Sequence, residues 1–340
     1  MTSLPGLIKS QANDFRVVEL PAFEPEGQGD HLYLWVEKEG LSTPRVLNQI
    51  ARLCGLSTRD LGCAGRKDQA AVTQQWLSVP VTLGGALDNL PSDGVFERVG
   101  EFGQWRIIRR LHHPRRLKTG QLTGNRFELL VRGLSSSEAD QMIARCDLLS
   151  QEARLLNAYG QQRFVDPKAI EQARGLLERG RLRGRKDTFL ISIAQAAVFN
   201  RYLSLRTDLA EPIAGEWYGT HKGGRFDGER EERELLVERL ASGEIVPLAP
   251  MIGRDVKPDQ VCGDLVAQAC EDVGLGGLDW SRFGKKVRGA WRPVWVGIPD
   301  LACSKAGEGV ELSFGLPSGS YATILVDRLL ENRWVFPFNE

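Results

Sequence analysis

One carboxylate stands out among the residues able to do chemistry. It is Asp68, in the run Gly62-Cys63-Ala64-Gly65-Arg66-Lys67-Asp68-Gln69-Ala70-Ala71-Val72-Thr73-Gln74-Gln75-Trp76. Small residues precede it, so a ligand can approach the backbone, and Gly65 suits a tight turn because it lacks a Cβ. The chain then enters an apolar, strand-like run, Trp76-Leu77-Ser78-Val79. An acid presented in this way can serve as a nucleophile or as a base. The plain alternative is a solvated turn aspartate, and the company the segment keeps has to decide between the two.

Much familiar chemistry lacks its equipment here. The sequence has no Gly-x-x-x-x-Gly-Lys-Ser/Thr phosphate loop, no Gly-x-Gly-x-x-Gly after a strand and no nucleophile-elbow serine. The run Gly274-Leu275-Gly276-Gly277 has the wrong spacing and reads as a helix-ending turn. Six cysteines (Cys54, Cys63, Cys146, Cys262, Cys270, Cys303) contain no Cys-x-x-Cys pair, and His31, His112, His113 and His221 show no metal-ligand spacing. Reduced thiols in a cytoplasmic protein are expected, with no metal and no cofactor. A reaction on this chain has to use ordinary side chains, carboxylate and lysine foremost.

A formal net charge of zero argues at first against a polyanionic partner, but the distribution reverses that reading. Arg106, Arg109, Arg110, Arg115, Arg116 and Lys118 form an acid-free cluster with His112 and His113. Arg179, Arg181, Arg183, Arg185 and Lys186 form a second, and Arg282, Lys285, Lys286, Arg288 and Arg292 a third. Segregated charge makes positive surface on a neutral molecule, which fits nucleic acid. No apolar run is long enough to span a bilayer, and the amino terminus lacks a basic segment followed by an apolar core, so neither a membrane span nor a secretory signal is expected.

The elements that must position Asp68 are mixed. Asp14–Leu20 and His31–Val36 read as strands, as do Arg126–Arg132, where Phe127, Leu129 and Val131 share a face, Val294–Ile298 and Leu312–Phe314. Thr43 is the expected cap of a helix that starts at Pro44 and ends at Gly55. The middle turns helical: 137–150, a helix opened by Asp166-Pro167 and closed near Gly180, a longer one from Asp187 through Tyr202, then 230–241 and 264–272. A last helix is expected over Ala322–Leu330. At 340 residues there is room for two domains. The order mixed, helical, mixed predicts an α+β protein with an insertion.

Five segments in this order resemble the TruD family of tRNA pseudouridine synthases. They are Lys9 to Glu19, Ala64-Gly65-Arg66-Lys67-Asp68 through Trp76, Gly124-Asn125-Arg126-Phe127, Asn157-Ala158-Tyr159-Gly160-Gln161-Gln162-Arg163-Phe164, and Gly319-Ser320-Tyr321-Ala322-Thr323. Ala158 and Val165 depart from the family pattern, which usually has an aromatic residue and often a glycine there. The resemblance implies isomerisation of uridine to pseudouridine in tRNA, typically at position 13, without a cofactor. It implies a discontinuous pseudouridine-synthase domain with a mixed or antiparallel sheet over 1–154 and 299–340, a helix-rich insertion over 155–298, and RNA held between them. It makes Asp68 the catalytic acid and places Lys9 beside it, where a cation would orient the carboxylate. Phe15, Asn125 and Tyr321 become uracil contacts, since a base taken out of its stack needs rings and an amide to receive it. Phe127 shares the motif, but its strand alternation equally fits core packing. The resemblance implies tRNA as partner, no protein partner and a monomer. The rivals are a noncatalytic RNA-binding protein and a carboxylate-pair glycoside hydrolase, which would require a second essential acid.

Overall fold

The computed structural model describes residues 8, 10–81, 87–100, 103–220, 223–257 and 262–330. In chain order the elements are β1 (Phe15–Pro21), β2 (His31–Glu39), α1 (Thr43–Cys54), β3 (Gly62–Cys63), β4 (Val72–Pro80), β5 (Glu97–Arg98), β6 (Gln104–His113), β7 (Leu122–Arg132) and α2 (Ser136–Glu152). There follow β8 (Arg154–Leu156), α3 (Ala169–Arg179), α4 (Arg185–Leu205), β9 (Trp217–Thr220), β10 (Arg225–Asp227), α5 (Arg233–Ser242), β11 (Ile245–Met251), α6 (Gly263–Asp272), β12 (Ala290–Pro293) and β13 (Trp295–Gly297). The chain closes with β14 (Ala302–Ala306), β15 (Gly309–Pro317) and α7 (Ala322–Leu330). The class is α+β, as the sequence predicts.

Contacts divide the chain into two units, one of 1–153, 297–319 and 329–331, the other of 154–296, 320–328 and 332–340. The first is built on a sheet whose described strands run β14-β15-β7-β1-β4-β2-β6-β5, with β3 added on β4. β1 pairs with β4 in parallel and with β7 antiparallel, so the sheet is mixed. Period-two alternation gives it two faces. On one, Leu32, Leu34, Val36, Leu77, Val79 and Ile107 pack against Val46, Ile50, Ala51 and Cys54 of α1. Burying each such aliphatic side chain stabilises by about 1.5–3 kcal/mol. On the other, Tyr33, Ala64, Trp76 and Leu117 form a smaller cluster, with Trp35 and Trp76 meeting edge to face at 5.2 Å.

The second unit holds a four-stranded antiparallel sheet in the order β10-β9-β11-β12 and helices α3 to α6. Helix α4 buries residues all round its circumference, because α3, α6 and β11 surround it. The strand expected over Val294–Ile298 is β13 (Trp295–Gly297), which pairs with β8, whereas β12, immediately before it, pairs with β11. Pro293 has no amide hydrogen, which suits the point where the segment changes partner.

Candidate active site

Asp68 sits on a turn tied down by its neighbours. Gly62 pairs with Ser78 across β3 and β4, and a Cβ on Gly62 would stand 2.2 Å from the Leu117 carbonyl oxygen, so only glycine fits. Gly65, the expected turn glycine, has room for a Cβ, whose nearest neighbour would be Leu122 at 3.8 Å. The close approach is therefore three residues upstream. The Gly120 amide donates to the Ala64 carbonyl at 2.8 Å, and Gln75 Nε2 to the Gly65 carbonyl at 2.9 Å. The Lys67 amide donates to Thr43 Oγ1 at 2.9 Å, and that hydroxyl donates onward to Gln75 Oε1 at 2.8 Å. Thr43 thus serves the turn. It is the first helical residue, and Ser42 occupies the cap position.

Lys38 fastens the last link. It stands on the same face of β2 as Leu32, Leu34 and Val36, is 1% exposed, and donates from Nζ to the Asp68 carbonyl at 2.6 Å. Burial pushes its pKa down from 10.5 to about 8; the charge of Asp68 opposes that fall, and the charge of Lys67 adds to it. The Asp68 side chain itself is exposed. One carboxylate therefore faces solvent from a rigid turn beside two buried ammonium groups.

The second ammonium, Lys67, links two strands. Its Nζ lies 2.9 Å from Glu19 Oε2 and donates to Asn125 Oδ1 at 2.7 Å. Glu19 on β1 and Asn125 on β7 are directly opposed, and Glu19 also accepts from the Trp76 amide at 3.2 Å. The side chains of Lys67 and Glu19 are 5% and 1% exposed. Burial raises the Glu19 pKa, and the Lys67 charge and hydrogen bond work against the rise.

Of the residues anticipated from sequence, Asp68, Phe15 and Asn125 belong to the first unit. Phe15 is on the strand face that carries Glu19 and is covered, edge-on to Phe127 at 6.1 Å. Phe127 is buried and stacks on its cross-strand partner Phe314 at 5.1 Å. Lys9 lies outside the described residues. Tyr321 belongs to the second unit, where it meets Tyr159 edge to face at 5.6 Å. Burial raises its pKa. There the Asn157 motif is held by Arg292, whose Nε donates to the Asn157 carbonyl at 3.0 Å and whose Nη2 donates to Asn157 Oδ1 at 2.6 Å. The Arg292 guanidinium also lies over the Tyr159 ring at 4.3 Å.

The basic clusters sort differently from their order in sequence. In the first, Arg106, Arg109 and Arg110 pair with Glu37, Glu24 and Asp93 at 2.7, 3.7 and 2.6 Å. Arg115, Arg116 and Lys118 remain exposed, on the loop whose Gly120 is bonded to the Asp68 turn. The second and third clusters meet: Arg282 donates to the Glu178 carbonyl at 3.1 Å and Lys286 to the Leu182 carbonyl at 3.4 Å. Arg179, Arg181, Arg183, Arg185, Lys285 and Arg288 are exposed around that junction. No group of three or more potential metal ligands occurs among the described residues, and no described helix is long and apolar enough to cross a membrane.

Sequence reasoning missed Glu19, Lys38, Thr43 and Gln75. A signal was present for two of them: Lys38 continues the apolar alternation Leu32, Leu34, Val36, and Glu19 continues Phe15, Val17. A charge on a core face needs a partner.

A family model described as tRNA pseudouridine synthase D (TruD) matches residues 1–177 and 180–329. A tRNA pseudouridine synthase D of Thermus thermophilus is 35% identical over 347 residues, covering 96% of this chain and 90% of the relative. One of Methylococcus capsulatus is 34% identical, covering 96% and 91%. A solved structure from Methanosarcina mazei, assigned to tRNA pseudouridine synthase D, shares the fold with a TM-score of 0.73 at 17% identity, covering 97% of this chain and 94% of its own. The chain belongs to the TruD family of tRNA pseudouridine synthases.

Proposed function

We propose that this chain isomerises uridine to pseudouridine in tRNA, at uridine-13, with Asp68 as the reacting carboxylate and no cofactor. The N1–C1′ bond breaks, the uracil turns over, C5 joins C1′, the hydrogen on C5 leaves as a proton, and N1 takes up a proton. A carboxylate is ionised at neutral pH and can serve as nucleophile or as the base assisting bond cleavage. The observation that carries the reading is the exposed Asp68 carboxylate on a turn bonded to Thr43, Gln75, Gly120 and Lys38. A turn backbone fixed in this way presents its side chain without first having to be ordered.

Lys9 supplies a further cation beside the acid. Asn125 and Tyr321 contact the uracil, with Phe15 as an aromatic wall. Residues 1–154 and 299–340 form the catalytic domain and 155–298 the family insertion, whose joined basic clusters suit the phosphate backbone. The reaction takes place in the cytoplasm, on a monomer.

The test is release of tritium from tRNA labelled at uridine C5. Asp68→Asn should reduce release by about a thousandfold or more while tRNA binding stays within about twofold. Turnover by that variant at the parent rate would falsify the assignment. Release should persist in excess chelator, and a requirement for added metal would contradict the cofactor-free reading.

A further inference from the structure

The Asn125 amide has two chemically different ends, and Lys67 settles which end faces where. An ammonium has three donors and no acceptor, so the amide atom it bonds has to be the oxygen. The contact is short, 2.7 Å from Lys67 Nζ to Asn125 Oδ1. Lys67 cannot turn away, because Glu19 Oε2 holds the same nitrogen at 2.9 Å and both side chains are buried. Glu19 is fixed in turn by the Trp76 amide and by its position opposite Asn125 across β1 and β7. The NH2 end of Asn125 is left at a half-buried position, and no described residue accepts a hydrogen bond from it.

We infer that Lys67, held by Glu19, is a positioning residue that turns Asn125 into a donor-only contact, which selects the C4 carbonyl oxygen of the pyrimidine. This rests on the proposed role of Asn125 as a uracil contact. Uracil presents an acceptor oxygen at both C2 and C4; cytosine shares the C2 oxygen but carries a donor amino group at C4, so a donor-only contact tells the two bases apart at C4. An unrestrained asparagine could flip and satisfy either base. One held by an ammonium cannot, because flipping would aim its NH2 at the Lys67 cation and leave a buried donor facing a donor. With the amide at C4, selection for uridine over cytidine is therefore built into the buried Lys67–Glu19 pair.

The experiment compares kcat/KM for tRNA carrying uridine, 2-thiouridine or 4-thiouridine at the target position, with product followed by nucleoside chromatography. A thiocarbonyl is a poor acceptor, so the parent enzyme should lose about tenfold on 4-thiouridine, the value of one hydrogen bond, and little on 2-thiouridine. In the double variant Lys67→Met, Glu19→Met the amide is released, and the ratio of uridine to 4-thiouridine turnover should fall towards one. A purely structural role for the pair would lower all three rates together and leave the ratio unchanged, which overturns the inference. A parent enzyme insensitive to 4-thiouridine, including one sensitive to 2-thiouridine alone, overturns it as well.

Asn125→Asp answers the same question if the double variant does not fold. It keeps an oxygen for Lys67 and loses both donors, so kcat/KM on uridine should drop about tenfold or more; parent-like turnover overturns the donor assignment. Asn125→Ala separates the two layers of argument. Undiminished turnover by Asn125→Ala would remove Asn125 from the uracil site altogether. Loss of turnover and of thio discrimination in Asn125→Ala, with discrimination intact in the double variant, would refute only the role of Lys67.

Discussion

Replacing Lys38 by methionine should stabilise the protein at neutral pH and slow its reaction. The side chain is 1% exposed, and its pKa falls from 10.5 to about 8. Since each tenfold change in a proton equilibrium is worth about 1.4 kcal/mol, that fall corresponds to about 3 kcal/mol spent on holding the ammonium out of water. Methionine of similar length fills the space without the charge. It also forfeits the bond to the Asp68 carbonyl, worth about 1 kcal/mol, so the net gain at pH 7 is about 2 kcal/mol.

The pH dependence carries a definite sign. The native chain sheds the Lys38 proton near pH 8 and the unfolded chain near 10.5, so the unfolded state binds more protons between these values. Stability contributed by this group therefore rises with pH across that window. The penalty is fully present below about 8 and gone above about 10.5, and by about pH 9.5 roughly 2 kcal/mol has been recovered, which should close the gap between Lys38→Met and its parent. Urea unfolding of both proteins at pH 7 and 9.5, followed by fluorescence and far-ultraviolet circular dichroism, measures the difference. In parallel, kcat for tritium release should fall in the variant because the Asp68 turn loses a tether. A Lys38→Met protein less stable than its parent by 2 kcal/mol or more at pH 7 would refute the reasoning, since the ammonium would then be net stabilising.

Thr43→Val removes a hydroxyl that both accepts from the Lys67 amide and donates to Gln75. We expect a loss of about 1–3 kcal/mol for stranding buried groups, together with a fall in kcat that Thr43→Ser largely restores; urea unfolding and single-turnover kinetics read the two effects. Replacing Arg115 and Arg116 together by alanine should weaken tRNA binding and flatten the slope of log affinity against log salt by about 1.4–1.8, as for two lost phosphate contacts. An unchanged slope in a titration series places that loop away from tRNA.

The expected helix over Ala322–Leu330 has those ends in the structure, and α1 ends at Gly55 in the left-handed conformation. Local pattern decides such features, because the residues that stop a helix are its own neighbours. The strand expected over Val294–Ile298 is present as β13, but the sequence pattern gives no sign that β12, directly before it, is a separate strand with a different partner. Pairing is a property of what lies alongside, and spacing along the chain does not encode it.

The same division runs through the candidate site. Sequence alone singled out Asp68 and Asn125, set them in their motifs and resembled the TruD family, because motif order survives without coordinates. The buried layer beneath them came only from the fold. Glu19, Lys67 and Asn125 are distant in sequence but converge where β1, β7 and the Asp68 turn come together. Lys38 reaches the Asp68 carbonyl from another strand of the sheet. Three-dimensional packing decided these partnerships, because a charge excluded from water takes whichever complementary group the strand order brings within about 3 Å.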